Sequence, residues 1–557
     1  MDFNRYFTND ELTAQLNEWA TTYPNILTLG VLGQSYEGKD IHLLTITNKA
    51  TGADTDKPAV WLDANIHATE IAGTTTTLRI LWELLSKYGS DEKVTRLVDT
   101  STFYIVPRLN PDGAAWAMAA QPKYVRSGVR PYPYEKKMDG LHSQDIDGDG
   151  RILSMRIPDP NGEWKISTKN PRIMEKRKPD EMGGTYYRVF AEGLIENYDG
   201  YVFRNARPHQ GLDFNRNYPF EWRTESDQYG AGPYPTSEPE IRAAVDFVAK
   251  HPNINAGIAY HTYSGVILRP YGTKADDQID TNDLWAFQAI GERAKELTGY
   301  RTVSVFHDFK YHPKQTITGV SNDWLYENQG IFGYVIELWD IVGRATEKYE
   351  RKFIDWMRDH PHEDDVKIFE WILANGPKDG YVDWYEFEHP QLGKVELGGT
   401  NNMYTWRNPP HAFMGEEAER NVPYVVALGE MLPRLNVHQF TATPLGNDQV
   451  HLNLIVENTG YFPTYTNNMS KKRGIRTVRV ELDLPEGAEF VQGKRKTDLG
   501  HLEGRASRSG IFGMGGNGTD YRARAEWVIR VPSGAGAVKA NVISDRAGTV
   551  QVEVTLG

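Results

Sequence analysis

His67-Ala68-Thr69-Glu70 places an imidazole and a carboxylate three positions apart, directly after the apolar run of residues 61–65. Those two residue types can bind one Zn²⁺ together. Alone the pair says little: His360-Pro361-His362-Glu363 repeats it, and about one chance match is expected in a chain so rich in Glu. Three segments give it weight. Tyr260-His261-Thr262-Tyr263-Ser264 ends a second apolar run on a histidine that can serve as a third ligand; the plainer reading is a surface histidine. Gly211-Leu212-Asp213-Phe214-Asn215-Arg216-Asn217 is a polar loop whose Arg fork suits a carboxylate, or else an Asx-rich turn with one solvated Arg. Ile336-Glu337-Leu338 sets a carboxylate among apolar strand residues, which is costly to bury without a purpose.

A second constellation is Asp145-Ile146-Asp147-Gly148-Asp149-Gly150-Arg151-Ile152. Alternate carboxylates, a Gly at the sixth position and the backbone carbonyl of Arg151 at the seventh match the front of an EF-hand-like Ca²⁺ loop. Position twelve is Arg156 instead of Glu, so a bidentate ligand has to come from elsewhere, with Asp159 and Glu163 as candidates. The reading is a structural Ca²⁺ that orders the surrounding segment; its rival is a solvated acidic turn.

Residues 59–65, 102–106, 255–260 and 332–338 read as buried strands, and they deliver His67, His261 and Glu337. A helical pattern over residues 71–85 lies between the first two, which is βαβ logic. Residues 9–23 form a first helix, residues 25–48 two strands around a Gly-containing turn, and residues 420–432 a closing helix despite Pro423. Ser237-Glu238-Pro239-Glu240 predicts a capping-box start for a helix carrying Ile241, Val245 and Val248. Residues 130–208 are rich in Pro, Gly and charge with little periodicity, the texture of a long functional insertion. Near Pro433 the pattern changes: Val450, Leu452, Leu454 and Val456 alternate with polar residues, as do Val478, Val480, Leu482 and Val550, Val552, Val554. Period-two strands with Gly/Pro/Asn turns predict a C-terminal antiparallel β-sandwich. The division expected is a catalytic domain at 1–433 and an accessory sandwich at 434–557.

Composition narrows the chemistry. The 557 residues contain no cysteine, so disulfides, Cys nucleophiles and thiolate metal sites are excluded and any metal must use His, Asp or Glu. The net charge of −13 argues against a non-specific grip on nucleic acid or an acidic membrane surface, and no apolar run approaches a membrane span. Met1-Asp2-Phe3-Asn4-Arg5 shows no basic start followed by an apolar stretch; the expectation is a cytoplasmic enzyme, or an exported one whose signal is absent from this sequence.

The chain resembles the zinc carboxypeptidases of the carboxypeptidase A type over about residues 5 to 430. Five pieces carry the resemblance, in family order: the His-x-x-Glu pair after a strand; Asn110-Pro111-Asp112-Gly113; Asp213-Phe214-Asn215-Arg216-Asn217; His261-Thr262-Tyr263-Ser264 with Pro270-Tyr271-Gly272; and Asp323-Trp324-Leu325-Tyr326 leading to Glu337. The resemblance implies an α/β fold with a mixed central β-sheet and helices on both faces. It also implies one catalytic Zn²⁺ held by His67, Glu70 and His261, with an open position for a water whose pKa the metal lowers toward about 7. Glu337 would be the general base and Arg126 the stabiliser of the oxyanion. Asn215 and Arg216 would clamp the terminal carboxylate of a peptide or protein with a free C-terminus, and Tyr263 would line the substrate.

Two positions depart from the family pattern. Counting back from Glu337, its mobile Tyr falls on Gln315, with Tyr311 nearby as a substitute. The position that reads the last side chain falls on Asn322, neither apolar nor acidic. Arg269 is a further candidate for that pocket and would favour a carboxylate, against the alternative of an ion pair on the rim. An amidase or endopeptidase acting on cell-wall peptides is the rival activity; a non-catalytic binding protein on the same fold is the other. His360-Pro361-His362-Glu363 is expected to be solvent-exposed, and Gly513-Met514-Gly515-Gly516-Asn517-Gly518 to be a hairpin loop and not a phosphate loop.

Overall fold

In the computed structural model, which describes residues 1–312, 314–506 and 518–556, the apolar runs become the centre of an eight-stranded mixed sheet. Its strands are β1 (Leu27–Gln34), β2 (Asp40–Ile46), β3 (Ala59–Ala64), β4 (Thr102–Val106), β5 (Ile254–Thr262), β6 (Val266–Arg269), β7 (Arg301–Ser304) and β8 (Phe332–Leu338). The spatial order is β1-β2-β4-β3-β5-β8-β6-β7. The central four, β4, β3, β5 and β8, are parallel to their neighbours in that group. Every residue of β3, β4 and β5 is buried, which is why they read as continuous apolar runs and not as alternating ones.

Helices cover both faces, as expected. On one side Ala72–Lys87 and Val422–Met431 pack Leu78, Leu81 and Val425 against Leu62 and Ile258. On the other, Pro239–Lys250 and Ser321–Gln329 pack Ile241, Val248 and Leu325 against Trp61 and Tyr104. Each such side chain contributes about 1.5–3 kcal/mol by leaving water. The run Thr74–Thr77 looks unsuited to a buried helix start, but Thr74 donates to the Pro107 carbonyl at 2.8 Å and Thr76 to Ala72 at 3.0 Å. No polar group is stranded there.

Helix starts followed local chemistry only in part. Thr8 and Glu11 form a reciprocal capping box for Asn9–Thr22. The one expected at Ser237 is not formed. Ser237 is engaged by Asn217 at 3.0 Å, Glu240 accepts from the Tyr36 amide at 2.9 Å, and Pro239 starts the helix without a side-chain cap. The closing helix forms as expected, over Val422–Met431 with Pro423 in its first turn, and a separate helix, His411–Glu419, precedes it.

The insertion is more ordered than its composition suggests. Ser154–Pro158, Trp164–Ile166, Met174–Lys176 and Tyr187–Ala191 join a hairpin of Tyr381–His389 and Gly393–Thr400 in a six-stranded sheet. Several of these strands are only three to five residues long, too short to show a period, and their partner hairpin lies far along the chain. Arg156 locks the two parts: it donates twice to Glu396 at 2.9 Å and lies near the rings of Tyr187 and Trp384.

Strands from Leu435 to Thr555 form two four-stranded antiparallel sheets, the expected sandwich, with Leu452, Leu454, Val480, Trp527 and Val542 facing inward. Arg546 reaches from it to donate to the carbonyls of Ile254 and Gln329, while Asn255 donates back to the Arg546 carbonyl at 2.9 Å. Gly513-Met514-Gly515-Gly516-Asn517 lies outside the described residues. No described helix is long and apolar enough to cross a membrane.

Candidate active site

The site sits at the C-terminal ends of β3, β5 and β8, where parallel strands of an open sheet leave a crevice. As β3 ends, Asn65 takes φ 57°, a left-handed conformation that Asn tolerates better than most residues. Its side-chain amide donates to the His67 carbonyl at 2.7 Å, and Arg108 donates to its oxygen at 3.1 Å. Asn110 fastens the loop to its neighbour, donating to the Ile66 carbonyl at 3.2 Å and the Ser127 carbonyl at 2.8 Å. Gly113 is required beside it, because a Cβ there would come within 2.7 Å of Ala68 and 2.9 Å of the Ser127 carbonyl. The Asn-Pro-Asp-Gly turn thus braces the loop that carries His67.

His67, Glu70 and His261 converge in the buried centre. His67 Nδ1 and Glu70 Oε2 are 2.9 Å apart, His261 Nδ1 and Glu70 Oε2 3.2 Å, and the two Nδ1 atoms 3.1 Å. Two imidazole nitrogens and one carboxylate oxygen are the donor set of a catalytic zinc site, and their spacing is close to the roughly 3.3 Å edge expected for ligands about 2.0 Å from one ion. The residues fit the metal. Although burial opposes its charge, His67, His261 and Arg126 hold the Glu70 carboxyl well below its ordinary range.

Asp213 organises the surroundings. It accepts from His67 Nε2 at 3.1 Å and from Arg126 Nε at 3.1 Å, and it lies 3.8 Å from Arg216. A carboxylate on the far nitrogen of a ligating histidine fixes its ring and tautomer. Against the cost of burial, Arg216, Arg126 and His67 keep this carboxyl well below its usual range. Asp213 belongs to the same polar loop as Asn215 and Arg216 but carries no expectation from sequence; its signal there is an acid two residues before Asn215.

Glu337 is the register partner of His261 across β5 and β8. Burial raises its carboxyl above the ordinary range, with repulsion from Glu70 added and His261 opposing. Arg126 also donates to Glu70 at 3.0 Å. Asn215 and Arg216 are buried on the flank facing Ser321–Gln329, where Asn215 accepts from the Ser321 amide at 2.9 Å. Arg126 is bonded to Glu70, Tyr263 and Glu337 lie within electrostatic reach of Glu70, and Asn215 and Arg216 adjoin the site through Asp213.

Tyr311 is near the site as well. Its side chain is about half exposed, at 53%, with Arg126, Arg216, Glu337 and Asp213 within electrostatic reach of its phenol; Gln315 is exposed as well. Asn322 is buried with its side-chain nitrogen lacking a partner among the described residues. Arg269 departs from the substrate-reading expectation: both terminal nitrogens donate to Asp276, one of them at 2.7 Å. Its fork is filled, and the rim ion pair is the role the geometry supports.

The second His-x-x-Glu sequence is corrected in detail. His360 stacks on Trp356 and bonds to Asp365 at 2.9 Å; His362 bonds to Asp365 at 3.1 Å and to Ser167 at 2.7 Å. Both rings are part-buried, while Pro361 and Glu363 are exposed. In the acidic loop, Asp145, Asp147 and Asp149 lie close enough to share an ion, and Asp145 accepts from Gly148 at 2.7 Å and Gly150 at 2.8 Å. Asp159 is held by Arg188 at 2.6 Å and does not complete the loop.

Comparison with known proteins places the chain in a family. The family profile of zinc carboxypeptidases matches residues 12–172 and 187–348, and that of a domain of unknown function matches residues 434–555. Carboxypeptidase A2 of Mus musculus is 24% identical over 380 residues, 65% of this chain and 72% of that protein. Carboxypeptidase B of Astacus astacus is 26% identical over 350 residues, 61% of this chain and 88% of that protein. Among solved structures, carboxypeptidase A from Helicoverpa armigera matches with a TM-score of 0.39 and 19% identity, over 67% of this chain and 73% of that one.

Proposed function

The chain belongs to the zinc carboxypeptidase family and is a zinc metallopeptidase, and from that premise we propose that it removes the C-terminal residue of peptides or proteins with Glu337 as general base. The observation that carries this reading is the convergence of His67, Glu70 and His261 on one point with Glu337 beside them in register.

His67, Glu70 and His261 would hold the zinc. When bound, zinc supplies Lewis acidity, polarising a carbonyl and bringing the pKa of a coordinated water to about 7. The Glu337 carboxylate takes a proton from the attacking water and returns it to the leaving amine nitrogen. Arg126, tethered by Glu70 and Asp213, directs its remaining N–H groups at the oxygen on which negative charge develops. Asn215 and Arg216 bind the terminal carboxylate, Arg216 through a fork that Asp213 meets only at 3.8 Å. Tyr263 lines the cleft, Tyr311 closes over the substrate in place of Gln315, and Asn322 offers its unpartnered amide to the last side chain.

Residues 434–557 act as an accessory domain docked through Arg546. Asp145, Asp147, Asp149 and the Arg151 carbonyl form a structural calcium loop; a higher melting temperature on adding calcium supports it, and no shift removes it. The functional reading is tested by incubating the zinc-loaded protein with a mixed peptide library and reading products by mass spectrometry. Peptides one residue shorter at the carboxyl end support it, while internal cuts favour the endopeptidase rival.

A further inference from the structure

Beyond the ligands, a cavity of about 530 Å³ opens beside Arg126. One wall is the site itself, at Thr69 and Arg126; the opposite wall is the inserted sheet, at Ser154 and Phe190; Asn402 and Arg407 close the end. Asn215 and Arg216 are not part of its lining, so it meets the site at Thr69 and Arg126 and not at the proposed carboxylate clamp.

Arg407 is the unusual member. It ends a π-helical turn, Met403–Arg407, a local geometry that recurs at functional sites. The turn is anchored to the metal-ligand loop: Asn408 accepts from the Ala72 amide at 2.9 Å and donates to the Thr69 carbonyl at 2.7 Å. Trp339 fixes it from below, donating to the Thr405 carbonyl at 2.6 Å. Arg126, Arg269 and Arg351 are each paired with carboxylates. Arg407 forms no ion pair with a carboxylate among the described residues, although Glu337 lies within its electrostatic reach; its guanidinium lies 5.3 Å from the Tyr263 ring centroid, half-buried beside the cavity. A part-desolvated fork on an anchored turn, with its N–H groups not taken up by an ion pair, is placed to meet a carboxylate that arrives with a ligand. Arg407 also lies outside the residues matched by the family profile.

We propose that Arg407 is a specificity-determining residue that binds a carboxylate on the amino side of the scissile bond. The carboxylate is the side chain of an α-linked Asp or Glu, or the free α-carboxylate of a γ-linked Glu. The proposal rests on the carboxypeptidase reading, because the clamp at Asn215 and Arg216 is what makes this cavity the upstream side.

The test uses zinc-loaded full-length protein and peptides that share their last residue. The penultimate or antepenultimate residue is Gln, α-linked Glu or γ-linked Glu, and kcat/KM is measured for wild type, Arg407→Ala and Arg407→Lys, with zinc content and melting checked for each. The expected wild-type preference for the acidic peptide over the Gln peptide is about tenfold to a hundredfold, the range of a charge-assisted hydrogen bond. Arg407→Ala brings that ratio to about one and Arg407→Lys restores part of it; the α- and γ-linked arms tell which carboxylate is read. A wild-type ratio near one, or an Arg407→Ala loss equal on acidic and Gln peptides, overturns the proposal while C-terminal release continues. No C-terminal release from any peptide overturns the functional reading with it.

Discussion

His261 and Glu337 are direct neighbours across the parallel pairing of β5 with β8. Strands about 4.8 Å apart present in-register side chains on the same face, so a metal-ligand histidine and a carboxylate are placed side by side by the sheet and not by a loop. The arrangement therefore inherits the rigidity of two buried central strands.

Asp213 holds His67 from behind the metal centre. Asp213→Asn keeps the size and loses the charge that fixes the ring and balances Arg126. Zinc affinity is expected to fall about 10- to 100-fold, as measured by competition with a chelator. Unchanged affinity would show that His67 is oriented by packing alone.

Arg216→Ala separates an exopeptidase from an endopeptidase. Losing a bidentate carboxylate contact is expected to reduce kcat/KM on a free-ended peptide by about a hundredfold, with a far smaller effect on the amidated version. Equal losses on the two would argue that Arg216 supports the fold of the loop instead of binding the C-terminus.

Asp323 gives a pH prediction remote from the metal. Burial pushes its carboxyl up to about 7, although the Gly272 amide donates to it at 2.8 Å. Because the folded value lies above the unfolded one, its contribution to stability is fully present below about pH 4 and is lost as pH rises through about 7. Asp323→Asn removes the titration, so its stability relative to wild type is expected to rise by about 1–3 kcal/mol between pH 5 and pH 8 in urea unfolding. A difference independent of pH would show that Lys274, the nearby cation, offsets the cost of burying the charged carboxylate.

Arg546→Met tests the docking of the sandwich. The side chain is buried, and its guanidinium donates to two carbonyls of the catalytic part. Leaving those carbonyls without donors is expected to cost about 2–4 kcal/mol, read as a lower melting temperature. A shift of less than a degree would show that the interface is held elsewhere.

The sequence made the central strands legible because their burial on both faces leaves continuous apolar runs, and the residues at their ends stood out as polar types in apolar settings. Glu337 and His261 were visible for that reason. The role of Asp213 was not, because an acid in a polar loop looks the same whether it orients an imidazole or caps a turn. Arg269 and Asp276 lie seven residues apart, and only the fold brings the bidentate pair together. The inserted sheet was hidden by strands of three to five residues whose partners, at Tyr381–His389 and Gly393–Thr400, come much later in the chain. Arg407 was hidden with them: its place beside the site depends on Asn408 reaching back to Thr69 and Ala72, a contact no local pattern announces.

The central claim is that Glu337 performs the proton transfer at a zinc site it does not itself build. Glu337→Gln, assayed for zinc content and peptide hydrolysis on the same preparation, tests it most directly. The expected result is about one zinc per chain, as in wild type, with kcat lowered by at least about 10²–10⁴-fold. A variant that holds zinc and hydrolyses near the wild-type rate would contradict the account.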